Sequence, residues 1–175
     1  MNPSELPELE AVFENLRSGR HISSTDGSLY RALADNEEEF RTLFESLGFN
    51  LVRHPRDFFY FRGGGGYSSF GTRISVFFFI LVEWLAERDE RLEEALFTRE
   101  FAIPDLPHFQ RERYRRYMAE AGMENEDSLL NLIARMERLG FVNRKGERSF
   151  GFSHPAYRLL DLCMEVLERG SGEQS

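Results

Sequence analysis

EEEFRTLFESLGFNLVRHPRDFFYFR fills residues 37–62, and EDSLLNLIARMERLGFVNRKGERSFGF fills residues 126–152. In both, a charged amphipathic run enters Leu-Gly-Phe (Leu47-Gly48-Phe49 and Leu139-Gly140-Phe141) and a short hairpin leaves it. Glycine just past the last apolar position stops a helix, because it enters the left-handed region without steric cost. Before the first stop, Phe40, Leu43, Phe44 and Leu47 share one helical face. After each stop, a turn (Pro55-Arg56-Asp57 or Lys145-Gly146-Glu147) separates two short strand-forming runs. Helix, glycine stop and hairpin form the local pattern of a winged helix. Its recurrence predicts a mainly α protein with small β wings, built as tandem winged-helix domains that bind macromolecules rather than perform chemistry.

Gly63 to Gly66 place the boundary, since four consecutive glycines lose too much chain entropy to hold regular structure. The expected division is an N-terminal winged helix over 1–62, a glycine-rich linker over 63–71, a central helix with the second winged helix over 72–169, and a disordered tail over 170–175. A first helix is expected from Glu5, capped by Ser4, to Leu16, and a charged helix from Asp89 to Thr98. Phe101 to Pro107 reads as irregular because of its two prolines. The helix 72–88 is apolar on nearly every side, with Phe77, Phe78, Phe79 and Trp84 among its large residues. Such a helix needs cover all round. In a small chain that need points to a homodimer with this helix in its interface.

The formal charge of -8 argues against a surface uniformly suited to nucleic acid. The balance is uneven, however: residues 1–62 hold 11 acids and 7 bases, 63–103 hold 7 and 4, and 104–158 hold 8 and 10. Nucleic-acid contact is therefore expected only in the second half. There the helix before the hairpin offers Arg135 and Arg138, and the hairpin offers Arg144, Lys145 and Arg148. In a winged helix the first group can enter a major groove and the second can touch backbone. The competing reading is a solvated wing balanced by Glu137 and Glu147. The first wing carries Phe58-Phe59-Tyr60-Phe61, whose alternation puts Phe58 and Tyr60 on one side and Phe59 and Phe61 on the other. One side packs inward. The other, if exposed, is a protein-binding surface, and if covered it lies within a dimer.

Catalytic chemistry finds no footing. His21, His54, His108 and His154 are dispersed without HxxxH or CxxC spacing, so neither metal nor cofactor is expected. GGGGYSSFGT lacks the lysine of a phosphate loop, and paired glutamates read as solvated helix faces. Cys163 lies in the apolar stripe Leu159, Leu160, Val166, Leu167 and reads as a core residue. The acidic N-terminus is no secretory signal, and Val76 to Val82 falls far short of the roughly 20 residues that span a bilayer. A cytoplasmic protein that is not an enzyme and has no membrane contact is expected.

Leu16-Arg17-Ser18-Gly19-Arg20-His21-Ile22, followed by an acidic helix and Phe59-Tyr60-Phe61-Arg62, resembles the MukE/MksE family of kleisin-associated tandem winged-helix subunits of bacterial condensins. The likeness continues through the apolar middle helix, Leu96-Phe97-Thr98 and Arg135-Met136-Glu137-Arg138-Leu139-Gly140-Phe141. It implies a nucleoid-associated homodimer that binds a kleisin (MksF/MukF-like) and, through it, an SMC ATPase (MksB/MukB-like). It also implies double-stranded DNA passing near the second winged helix, with Arg135 and Arg138 facing it. Arg17, Arg20, Phe58, Tyr60 and Arg62 are the expected partner-binding residues. The short tail without a long acidic extension and the four-glycine linker favour the MksE branch. Chromosome condensation and segregation, or plasmid defence, are the implied roles. A stand-alone winged-helix transcription regulator is the alternative.

Overall fold

The computed structural model describes residues 5–62 and 69–172, with side chains over 5–62 and 71–164. Ser4, Gly63 to Gly66 and residues 173–175 lie outside the described residues. The chain divides into two compact units, Met1–Gly66 and Tyr67–Ser175. The first runs α1 (Leu9–Arg17), β1 (Ile22–Ser23), α2 (Ser28–Asp35), α3 (Glu37–Ser46), β2 (Asn50–His54) and β3 (Phe58–Arg62). The second runs α4 (Ser69–Glu87), α5 (Leu92–Thr98), β4 (Glu100–Ala102), α6 (Glu112–Glu120), α7 (Glu126–Arg138), β5 (Val142–Arg144), β6 (Ser149–Phe152) and α8 (Tyr157–Gly172). Each unit holds one three-stranded antiparallel sheet, ordered β1-β3-β2 and β4-β6-β5, so the second hairpin strand is central in both. Among the described residues the protein is mainly helical, with these two small sheets.

Both Leu-Gly-Phe stops adopt one hydrogen-bond pattern. Gly48 N–H donates to Glu45 O at 3.0 Å and Phe49 N–H to Phe44 O at 2.8 Å. In α7 the same roles fall to Gly140 with Glu137 O at 3.1 Å and Phe141 with Met136 O at 2.9 Å. These are Schellman caps, with Gly48 at φ 87 and Gly140 at φ 89. The cap turns the chain back along the helix, so the hairpin lies against the unit that the helix covers. Phe44 and Phe40 are fully buried in the first core with Val12, Leu16, Leu33 and Phe59. Burying a side chain such as Phe44 contributes about 1.5–3 kcal/mol. In the second unit, Tyr114, Phe77 and Phe150 are buried completely, and Phe101 stacks on Phe150 with centroids 5.7 Å apart.

Several boundaries depart from the sequence expectation. α1 starts at Leu9 rather than Glu5, because Pro7 lacks an N–H and biases Leu6 away from helical geometry. α4 starts at Ser69, so residues 69–71 are helical rather than linker. Asp89, at φ 54, ends the preceding turn, and α5 begins only at Leu92. The stretch read as irregular supplies β4, where Phe101 pairs with Phe150; the prolines enforce short 3₁₀ turns only at Ile103–Asp105 and Pro107–Phe109. α8 continues to Gly172, so residues 170–172 are helical rather than tail.

The most consequential correction concerns α4. Phe77, Phe78, Ile80, Leu81, Val82 and Leu85 are buried within a single chain, because α5, α6, α7 and α8 all pack against this helix. Thr72, Ser75 and Phe79 form an exposed stripe, with Phe79 39% exposed. Trp84 is half-buried beneath the Arg88 guanidinium, 4.6 Å from its ring centroid. One chain thus covers nearly all of the helix. The need for a second copy to bury it lapses.

Candidate nucleic-acid interface

α7 is positioned by its buried stripe of Leu129, Leu132, Ile133 and Met136. Asn125 fixes its start, with Oδ1 accepting the Ser128 N–H at 2.9 Å. The opposite face presents Asp127, Asn131, Arg135 and Arg138 to solvent. Asp127 stands in the first turn and both arginines in the last, where the helix dipole favours each sign by about 0.3–1 kcal/mol. The arginines therefore have a structural reason to be there in addition to any ligand.

The wing cations are not equivalent. Arg144 is held by Glu137, its N–H donating to Oε2 at 2.8 Å and its Nε to Oε1 at 3.2 Å. Arg148 pairs with Glu126, so that residue rather than Glu147 supplies the second balancing charge. Arg138 and Lys145 are exposed, and their side chains make no ion pair among the described residues. Of the five sequence-derived cations, Arg144 and Arg148 are thus neutralised, Arg138 and Lys145 make no ion pair among the described residues, and Arg135 is exposed on the same face of α7 as Arg138. Arg138 and Lys145 can reach a polyanion without first giving up a carboxylate.

In the first unit the expected partner-binding residues turn largely inward. Phe58 is wholly buried and stacks on His54 with centroids 4.3 Å apart; Tyr60 is buried beside His21 at 5.4 Å. Phe59 packs in the first core, Phe58 and Tyr60 are buried beside His54 and His21, and Phe61 is half-buried, so the run offers little aromatic surface to a partner. Arg20 is also structural. Its Nη2 donates to Asp26 Oδ1 at 2.6 Å, while Asp26 Oδ2 accepts the Ser23 N–H at 2.8 Å and closes a capping box with Ser23. Arg17 pairs with Glu14 at 2.9 Å on the surface, and Arg62 is exposed at the end of β3. On α3 the places of the α7 arginines are taken by Leu43 and Ser46, and Glu38 and Glu45 are exposed elsewhere on the helix. Arg53 on the first hairpin is held by Glu37 at 2.8 Å and Asp57 at 2.6 Å.

Elsewhere in the second unit, α4, α6 and α8 enclose an apolar groove of about 490 Å³ lined by Val76, Phe79, Tyr117, Leu159, Leu162 and Cys163. Cys163 is half-buried rather than a full core residue, and burial pushes its thiol up to about 11, leaving little thiolate at neutral pH. His108 is buried against Phe77, stacked at 4.5 Å, with Nε2 2.9 Å from Phe77 O. Burial pulls its pKa down to about 4. Among the described residues no cluster of three metal-ligating side chains occurs, and no helix is long and apolar enough to cross a membrane.

Residues 7–164 match a family described as "Condensin complex protein MksE". A stretch of 56 residues is 39% identical to "Chromosome partition protein MukE" of Vibrio vulnificus strain YJ016, covering 32% of this chain and 24% of the relative. The same protein of strain CMCP6 matches to the same extent. The matched stretch is about a quarter of each relative's length.

Proposed function

The chain belongs to the MksE family of condensin complex proteins, and from that premise we propose that it is a non-enzymatic accessory subunit that binds a kleisin and helps hold double-stranded DNA within an SMC complex. The order helix, strand, two helices and hairpin, repeated in α1 to β3 and in α4 to β6 apart from the inserted α5, supports reading both units as winged helices. The single observation that carries the DNA assignment is the pair of uncompensated cations, Arg138 at the end of α7 and Lys145 at the wing tip, in a chain of charge -8. Arg135, Arg144 and Arg148 flank them as secondary contacts. ATP chemistry belongs to the SMC partner. The kleisin surface lies on the first unit around Arg17 and Arg62, since Phe58 and Tyr60 are buried. The protein acts as a homodimer, and the open edge carrying Phe79 and Leu162 is the apolar surface available for self-association. Its role is chromosome condensation and segregation, or plasmid defence.

Affinity purification from native cells tests the assignment, with recovery of a kleisin and a coiled-coil ATPase expected. Arg138→Glu with Lys145→Glu should weaken DNA retention by the recovered complex while leaving its composition unchanged. Recovery of the chain alone, together with tight sequence-specific DNA binding, would instead establish a stand-alone transcription regulator.

A further inference from the structure

Sorting the second unit's cations by their partners isolates a pair that the DNA reading has not used. Arg88 and Arg99 bind Glu90, Arg91 lies 3.9 Å from Glu94, and Arg144 and Arg148 bind Glu137 and Glu126. In α6, Arg111 binds Glu87 at 2.6 Å and Arg113 binds Glu83. These two pairs anchor one flank of α6 to α4, while Tyr114 and Met118 are buried beneath it. Arg115 and Arg116 are exposed and make no ion pair among the described residues. Adjacent positions on a helix diverge by about 100°, so the two guanidinium groups cover a broad arc of the solvent face.

The position of α6 gives that arc a meaning. α6 is followed by a turn and then α7, and the turn is fixed: Arg73 Nε donates to Ala121 O at 3.2 Å, and Gly122 sits at φ 82 against the same guanidinium. Where two helices joined by a short turn bind a duplex, the second enters the major groove and the first crosses the sugar-phosphate backbone. Phosphate contacts set register and orientation without reading bases. An arginine already bound to a carboxylate is a poor phosphate ligand, which excludes Arg111 and Arg113.

We propose that Arg115 and Arg116 of α6 are backbone-positioning residues that clamp the phosphates of double-stranded DNA beside the α7 and wing-tip contacts. The inference rests on the DNA reading above. Binding of the full-length protein to a fluorescent duplex of mixed sequence, measured from 50 to 200 mM salt, tests it. Each lost phosphate contact lowers the log–log salt slope by about 0.9. Arg115→Gln with Arg116→Gln should therefore flatten it by nearly two, so that the unsubstituted protein loses about tenfold more affinity over this range than the variant. Arg115→Lys with Arg116→Lys should retain the slope, which separates lost charge from a folding defect. Arg111→Gln with Arg113→Gln should change it little. An unchanged slope in the Arg115/Arg116 glutamine variant, with Arg138→Gln/Lys145→Gln still weakening binding, overturns this inference and leaves the DNA reading standing. If neither pair matters, both fall.

Discussion

Acidification should destabilise the second unit through His108, and the effect can be worked from its surroundings. The imidazole is stacked on Phe77, its Nε2 faces Phe77 O at 2.9 Å, and its Nδ1 is buried with no hydrogen-bond partner. The carbonyl accepts from Nε2–H, so an added proton would sit on the buried Nδ1, which has no acceptor among the described residues. The folded pKa is accordingly about 4, against an ordinary value near 6.5. With a lowered folded pKa, the unfolded chain takes up the proton first as pH falls. The stabilisation from keeping the ring neutral is complete above pH 6.5 and is lost progressively down to pH 4. Linkage gives a loss of about 2 kcal/mol between pH 7 and pH 5. Trp84 lies on α4, the helix that carries Phe77, so its fluorescence in urea follows this unit. His108→Gln keeps a donor for Phe77 O but cannot titrate. Its urea midpoint should be nearly level over the interval in which the unsubstituted protein declines. Glu90, held below the usual carboxylate range by Arg99 and then Arg88, adds its own loss only at lower pH. Parallel pH profiles for the two proteins would refute the reasoning.

Phe78→Asp should abolish cooperative folding of the second unit, because it buries an unpaired carboxylate, whereas Phe79→Asp should fold with its Trp84 unfolding midpoint little changed. An unfolded Phe79→Asp protein would contradict the open face of α4. Asp26→Asn should cost the first unit about 1–2 kcal/mol, read by far-UV circular dichroism as a separate urea transition, since it disturbs both the Arg20 contact and the capping box. In duplex-binding titrations, Arg144→Gln with Arg148→Gln should lower affinity less than Arg138→Gln with Lys145→Gln. The first pair already spends its charge on Glu137 and Glu126, and equal losses would show that those ion pairs open freely.

The elements legible in the sequence are those whose signal is local. α3, α7 and both hairpins follow from apolar spacing, a glycine that must be left-handed, and turn residues that suit their positions. Asp57 illustrates the last point, accepting φ 67 at the end of the loop between β2 and β3. β1 and β4 are too short to carry a pattern of their own. Each exists because a central strand offers it a free edge, as Phe59 does to Ile22 and Phe150 to Phe101. The burial of Phe58 and Tyr60 was hidden for the same reason: alternation assigns faces to a strand but not what covers them. On α4, composition suggested burial all round, yet the exposed positions Thr72, Ser75 and Phe79 keep one helical face, and an aromatic at one of them conceals it. Among the candidate cations the sequence supplied the five of α7 and the second hairpin, but not Arg115 and Arg116 of α6. It could not say that Glu126, twenty-two residues away, would claim Arg148.

That pairing pattern separates two units with the same order of elements. Aligned on their Leu-Gly-Phe caps, Phe40 and Phe44 of α3 stand where Leu132 and Met136 stand in α7, and all four are buried. The inward face is thus preserved in character, because the cap and the sheet demand it. At the places of Arg135 and Arg138, α3 carries Leu43, half-buried against the core, and the exposed Ser46; three glutamates open α3, and Arg53 of the first hairpin is bound by Glu37 and Asp57. A duplex approaching the first unit in the manner proposed for the second would find no arginine at the helix end and would find Arg53 of the hairpin already bound to carboxylates. Under the proposed function, DNA contacts the second unit and the first is left for a protein partner. Charge reversal on α3, Glu38→Arg with Glu45→Arg, should accordingly leave kleisin-free DNA binding unimpaired or strengthen it. A loss of DNA affinity in that variant, with folding intact, would place the duplex on both units and undo the division of labour.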